Sequence, residues 1–228
     1  MISKTDTSSR GVNTNLSYLS LRKLIGYLGL FLPFIVWAMA WKYDSSISHY
    51  FYTRAGVVFT SVLTLCGAFL ISYRGYAREE EQLSDNVITW IGGILIIIVA
   101  LVPTMYGDVE DCHCGNIPTC HCSKIWGAIH FGSAVLFFVS MGYLSVFRFT
   151  RGDKPFSTKK IRRNKIYLVC GLAMWLILAF AGIMLLFFKE ATGVHFIFWV
   201  EVALLVFFGI SWLVKGKALV DLGLQKEE

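Results

Sequence analysis

His130 and Glu201 each lie inside a long apolar run of the sequence, where ionisable side chains are rare. An imidazole and a carboxylate brought together at lipid depth can share a proton, hold a polar ligand or supply two ligands to a metal. Asp44, Ser46 and His49 crowd a short polar stretch, KYDSSISHYFYTR, between two other apolar runs. Ser133 follows His130 by three residues, so a helix puts both on one small, polar face with Gly127, Ala134 and Phe137. The candidate pocket is therefore Asp44, Ser46, His49, His130, Ser133 and Glu201. His195 does not share the face of Glu201, which aligns with Val194 and Phe208, so His195 is assigned to a loop end. Three chemistries fit the six residues: a structural network, a site for a lipid headgroup or small polar ligand, and a metal-dependent hydrolase with a water at an open coordination position.

A second pattern is Cys112-His113-Cys114 and Cys120-His121-Cys122 around GNIPT. Four cysteines so spaced fit nested disulfides, 112–122 and 114–120, in a tight hairpin, though four cysteines allow three pairings. Four thiolates also fit a closed tetrahedral zinc site or Cu(I), with His113 and His121 as further ligands. The C-x-C spacing is tighter than the usual C-x2-C of zinc sites. Cys66 and Cys170 lie inside apolar runs and read as small hydrophobes.

The elements that must position these residues are six apolar runs, at 24–41, 55–73, 87–106, 125–147, 166–188 and 194–214. Each is about long enough to cross a ~30 Å hydrocarbon core as a helix. Lipid offers no partner for backbone N–H and C=O groups, so such runs are helices. The expected fold is an all-α, polytopic membrane protein, a six-transmembrane-helix bundle over 24–214. A 1–23 segment precedes it and a 215–228 tail follows. Only 16% of the 228 residues are charged, against about 25% in soluble domains. The polar N-terminus is too long for a secretory signal peptide.

Charge sets the orientation. Seventeen of the 21 Lys and Arg flank one set of run ends, and only Lys42, Arg54, Lys124 and Lys189 flank the other. The positive-inside rule then places both termini in the cytoplasm. The candidate pocket and the cysteine loop fall on the outer side, where disulfides persist. The inner half reads as bare of buried ionisable groups. The basic 148–165 stretch is read as topogenic and headgroup-facing, so membrane lipids are the expected partners and nucleic acid is not. Gly92 and Gly93 are read as sites of close helix approach.

Two likenesses follow from particular residues. Ser45 precedes His49 by four positions, and a similar Ser-x3-His occurs in the membrane-embedded ceramidase and adiponectin-receptor group of zinc hydrolases. Those have seven spans and a His-x3-His pair, which this chain lacks. The segments SSISHYFYTRAGVVFTSVLTLCGAFLISYRGY, VALVPT, IHFGSAVLFFVSMGYLSVFRFT, RNKIYLVCG and FWVEVALLVFFGISWLVKG resemble bacterial six-span proteins of the domain-of-unknown-function 998 type. They are more distantly similar to Frag1/DRAM/Sfk1 membrane proteins. That resemblance implies a bacterial inner-membrane location, and its distant relatives imply lipid or glycolipid handling. The leading expectation is binding or handling of a lipid or small polar ligand. The alternatives are a zinc-dependent lipid hydrolase at the outer leaflet and a transporter subunit. A homo-oligomer is compatible with all three.

Overall fold

The computed structural model describes residues 6–75, 84–104, 123–151 and 157–218, with side chains from Tyr18 onward. Among these residues the chain is all-helical. The long helices are α1 (Asp6–Ala40), α2 (Gly56–Ser72), α3 (Asp85–Leu101), α4 (Lys124–Tyr143), α5 (Thr158–Phe187) and α6 (Phe196–Lys215). Among the described residues four segments are long and apolar enough to cross a membrane: Tyr18–Ala40, Lys124–Arg148, Thr158–Phe187 and Phe196–Lys215. α2 and α3 are apolar but have 17 residues each, about 25 Å of helix. The chain is thus a helical membrane protein.

Helix ends depart from the apolar runs where polar residues cap them. α5 begins at Thr158, not near 166, because the Ser157 hydroxyl accepts from the Lys160 N–H at 3.2 Å and carries the helix into the basic stretch. α3 begins at Asp85 behind the Ser84 cap and ends at Leu101, just short of Pro103. α1 runs back to Asp6, so the polar N-terminal segment is largely a helical extension. It ends where Trp41 takes a left-handed φ of 54°.

The helices pack in chain order, and α6 closes the ring against α1. Small residues permit the tight crossings. A Cβ on Gly93 would strike the backbone of Gly67, and one on Gly209 the backbone of Gly26. α4 and α5 approach closely where a Cβ on Gly171 would meet the carbonyl of Gly142. Farther along, toward the His130 end, the same two helices splay. A Cβ on Gly132 or Gly182 would meet open space. A cavity occupies that splay.

The other end of the bundle overturns the expectation of a bare inner half. Asp85 and Arg148 form a salt bridge in which both side chains are 0% exposed. The charge pattern of the sequence puts Arg148 at the head of a basic loop. It belongs instead to a five-residue π-helical turn, Leu144–Arg148, that prolongs α4 and swings the guanidinium inward. The Phe149 N–H reaches back to the Leu144 carbonyl at 2.9 Å to close this turn.

Candidate functional site

The 41–55 segment folds over the start of α6. A helix N-terminus exposes N–H groups without partners, and here the Phe198 N–H donates to the Ser45 carbonyl at 3.0 Å. His195, just before α6, donates through Nδ1 to the Asp44 carbonyl at 3.1 Å and packs on the Tyr43 ring. His195 thus fastens the segment to the start of α6. A short 3-10 turn, Ile47–Tyr52, follows, capped by Ser46, whose hydroxyl accepts from the Ser48 N–H at 3.1 Å.

This turn delivers three donors to one carboxylate. The Ser46 hydroxyl lies 2.9 and 3.0 Å from the two Glu201 oxygens. The Ile47 N–H donates to Glu201 Oε2 at 2.5 Å, and the Ser48 hydroxyl lies 3.1 Å from Oε1. The same Ser48 Oγ is 3.0 Å from His130 Nε2. On the far side of the ring, His130 Nδ1 is 2.6 Å from the Val102 carbonyl, where α3 ends. Glu201, Ser48, His130 and Val102 are one chain of hydrogen bonds joining α6, the 3-10 turn, α4 and α3.

With every link taken as a hydrogen bond, the chain allows two arrangements of its protons. A carbonyl only accepts, so His130 Nδ1 carries a hydrogen. If Glu201 is ionised, Ser48 donates to it, and His130 Nε2 must donate to Ser48 Oγ. That state is an imidazolium and a carboxylate bridged by a hydroxyl. If Glu201 is protonated, it donates to Ser48 Oγ, and Ser48 donates to a neutral His130. Both states hold the same number of protons. They interconvert by moving one proton along each link.

Beside this chain, His49 Nδ1 is 2.9 Å from Ser45 Oγ and 3.3 Å from Asp44 Oδ1. Asp44 also accepts from the Ser45 N–H at 2.8 Å and pairs with Lys42 at 3.3 Å. Burial pushes the Asp44 carboxyl up. The Ser45 N–H, Lys42 and His49 outweigh it and hold the group below its ordinary range. Burial raises the Tyr50 hydroxyl, which donates to the Lys42 carbonyl at 2.8 Å and stays neutral.

The cavity has a volume of about 560 Å³. One end is polar, with Ser45, Ser46, Ser48, His49, His130 and Glu201. The remaining walls are almost wholly apolar, supplied by α4 (Phe131, Ala134, Phe138), α5 (Leu178, Gly182) and α6 (Leu204), among others. Phe131 and Val194 line the cavity and are 56% and 77% exposed, so it reaches the surface of the bundle.

Of the six residues singled out in the sequence, Ser46, His49, His130 and Glu201 line the cavity. Asp44 does not; it holds His49 from behind. Ser133 is buried and also does not line the cavity. Ser48, the link between Glu201 and His130, was missed. The alternation Ser46-Ile47-Ser48 pointed to it, because a tight turn can aim both hydroxyls at one acceptor.

The geometry limits the chemistry. Ser48 and His130 have the spacing of a nucleophile and its base. The N–H groups of Ile47, Ser48 and His49 are already used, by Glu201, Ser46 Oγ and the Ser46 carbonyl. No oxyanion donor therefore adjoins Ser48 in its own turn. Among the described residues no three His, Cys, Asp or Glu side chains gather as a metal site. The residues present at the cavity do not fit a three-ligand zinc centre. Cys112, Cys114, Cys120, Cys122, His113 and His121 lie outside the described residues. No protein-family model, curated protein or solved structure matches the chain.

Proposed function

We propose that this chain is a six-span protein of a bacterial inner membrane, with both termini cytoplasmic, that binds an amphiphilic lipid from the outer leaflet. The observation that supports this reading is the cavity, polar at one end and apolar along the rest, reaching the surface where α4 and α5 splay. The polar end takes the headgroup and the α4–α5–α6 walls take an acyl chain. The head chemistry follows from the lining. Among the described residues no Lys or Arg lines the cavity, and the carboxylate there, Glu201, is an acceptor when ionised. Such an end suits a head rich in hydroxyl or amino donors, not one recognised through a bare phosphate. The resemblance to six-span bacterial proteins with distant lipid-handling relatives points the same way.

Transport is less well supported. On α4 and α6 the residues between the two polar ends include Phe137, Met141, Leu204 and Phe208, all buried and apolar. A charged path through the bundle would have to cross them.

The test is direct. Protein purified in mild detergent should retain a lipid visible by native mass spectrometry. Gly182→Trp, which fills open space in the cavity wall, should remove it without unfolding the protein. A wild-type protein free of lipid, and unaffected by added amphiphiles with hydroxyl or amino heads, would sink the reading.

A further inference from the structure

We propose that the head of the bound amphiphile is a primary ammonium, and that it displaces one proton from the Glu201–Ser48–His130 chain as it binds. The inference rests on the lipid-binding reading above and names the head that the polar end selects. It starts from a count of hydrogens. The Ser48 hydroxyl stands between Glu201 Oε1, at 3.1 Å, and His130 Nε2, at 3.0 Å. Those two links need two hydrogens, and Ser48 owns one. The other is a mobile proton, held on the imidazole or on the carboxyl. The hydrogen on His130 Nδ1 cannot serve, because the Val102 carbonyl takes it at 2.6 Å. With the mobile proton gone, Glu201 is a carboxylate, His130 is neutral, and Ser48 donates to only one of them. An N–H from the cavity supplies the missing hydrogen. It donates to Glu201 while Ser48 turns to His130.

Charge selects an ammonium over a hydroxyl. Either arrangement of the proton-loaded chain has no net charge. A hydroxyl head adds a bond without changing that. An ammonium adds one positive charge beside the chain, at a depth where an unbalanced charge is costly. Loss of the mobile proton restores neutrality and leaves a carboxylate facing the ammonium. Glu201 is placed for this. It lines the cavity and is half-buried, while the Ser46 hydroxyl and the Ile47 N–H hold its carboxyl in place. The Ser45, Ser46 and Ser48 oxygens on the same wall offer lone pairs to the remaining N–H groups of the head. The titratable neighbours are engaged with one another. Asp44 pairs with Lys42 and His49, Tyr50 donates to the Lys42 carbonyl, Tyr52 to the Thr104 carbonyl, and His195 to the Asp44 carbonyl. Of these only His49 also lines the cavity, so it is the one competing source of a proton. α1, α2, α3 and α5 bring no titratable side chain to the lining. Arg54, Lys124, Lys189 and Glu190 are exposed and line no part of it.

Isothermal titration calorimetry of the full chain in neutral detergent tests this with dodecylamine, dodecanol and dodecyltrimethylammonium, against protein-free micelles as blanks. Each titration is repeated in two buffers of different ionisation enthalpy, which counts the protons released. The amine, with a pKa near the lysine value of about 10.4, stays protonated at neutral pH. Dodecylamine should release about one proton per site, and its affinity should rise by up to about tenfold per pH unit between about pH 6 and 7. Dodecanol should bind with no release and no pH dependence. Dodecyltrimethylammonium is charged but has no N–H, and should bind about tenfold more weakly than the amine. Glu201→Gln should bring the amine down to the affinity of the alcohol and remove the release. A release that survives in Glu201→Gln comes from His49 and overturns the proposal. So does equal binding of the trimethylammonium. Dodecylamine binding without release overturns it as well, while the lipid-binding reading stands. Binding of none of the three overturns both.

Discussion

The two ends of this bundle bury polar groups in opposite ways. At one end Glu201 and His130 are joined through a hydroxyl, and the chain of bonds faces a cavity. At the other, Asp85 and Arg148 meet directly with both side chains wholly buried. A direct ion pair leaves little for a ligand to do, because each charge already has its partner. A hydroxyl-bridged pair beside open space can exchange its internal bonds for bonds to a ligand. The first arrangement is what a binding site needs, and the second is what a helix crossing needs.

This contrast breaks most sharply at the ion pair. Arg148→Ala should strand a buried carboxylate and destabilise the protein by about 3–5 kcal/mol, the usual cost of removing one partner. The double change Asp85→Leu with Arg148→Met should recover much of that loss, and lipid retention with it. Thermal unfolding in detergent reads both. If the single and double variants unfold alike, the pair is not acting as a unit.

Glu201 should be less costly to alter and more costly to function. Glu201→Gln keeps an acceptor for the 46–48 turn, so the fold should survive while lipid retention falls. Glu201→Leu leaves the Ser46, Ile47 and Ser48 donors without their acceptor, at about 1–3 kcal/mol for each group left buried and unsatisfied. Equal stability of the Gln and Leu variants would mean that the turn does not depend on this carboxylate.

The smallest expected effect is at Asp44. Its carboxyl is held below the ordinary value, so its contribution is present above the unfolded pKa of about 3.9 and disappears as pH falls through the lower folded value. Asp44→Asn should cost about 1 kcal/mol at neutral pH. The gap from wild type should close in acid. A gap that stays constant with pH would show that charge on Asp44 is not what fastens the loop.

The helical membrane character was legible in the sequence because lipid imposes a simple grammar of long apolar runs. Helix ends were less so, since Ser84 and Ser157 extend helices beyond those runs. The pocket was half legible. Ionisable groups in apolar runs drew attention to His130 and Glu201, and polar crowding to the 44–49 stretch. Ser48 is harder to read than Ser46 because the alternation Ser46-Ile47-Ser48 becomes a signal only once a tight turn aims both hydroxyls at one acceptor. Ser133 was included because helical spacing puts it near His130. Spacing gives a face, but Ser133 is buried outside the cavity lining. Asp85 and Arg148 were hidden by their places at the margins of apolar runs, where charges are ordinarily solvated. Only the π-helical turn after α4 makes Arg148 an interior residue.

The central claim is that an acyl chain lies between α4, α5 and α6 with its headgroup at Glu201. A lipid carrying a photoreactive group midway along its acyl chain tests it most directly. After irradiation in membranes, cross-linked peptides should map to residues 131–138 of α4 and 178–185 of α5. Glu201→Gln and Gly182→Trp should both abolish the adducts. Labelling spread evenly over the outer faces of all six helices, unchanged by either substitution, would contradict it.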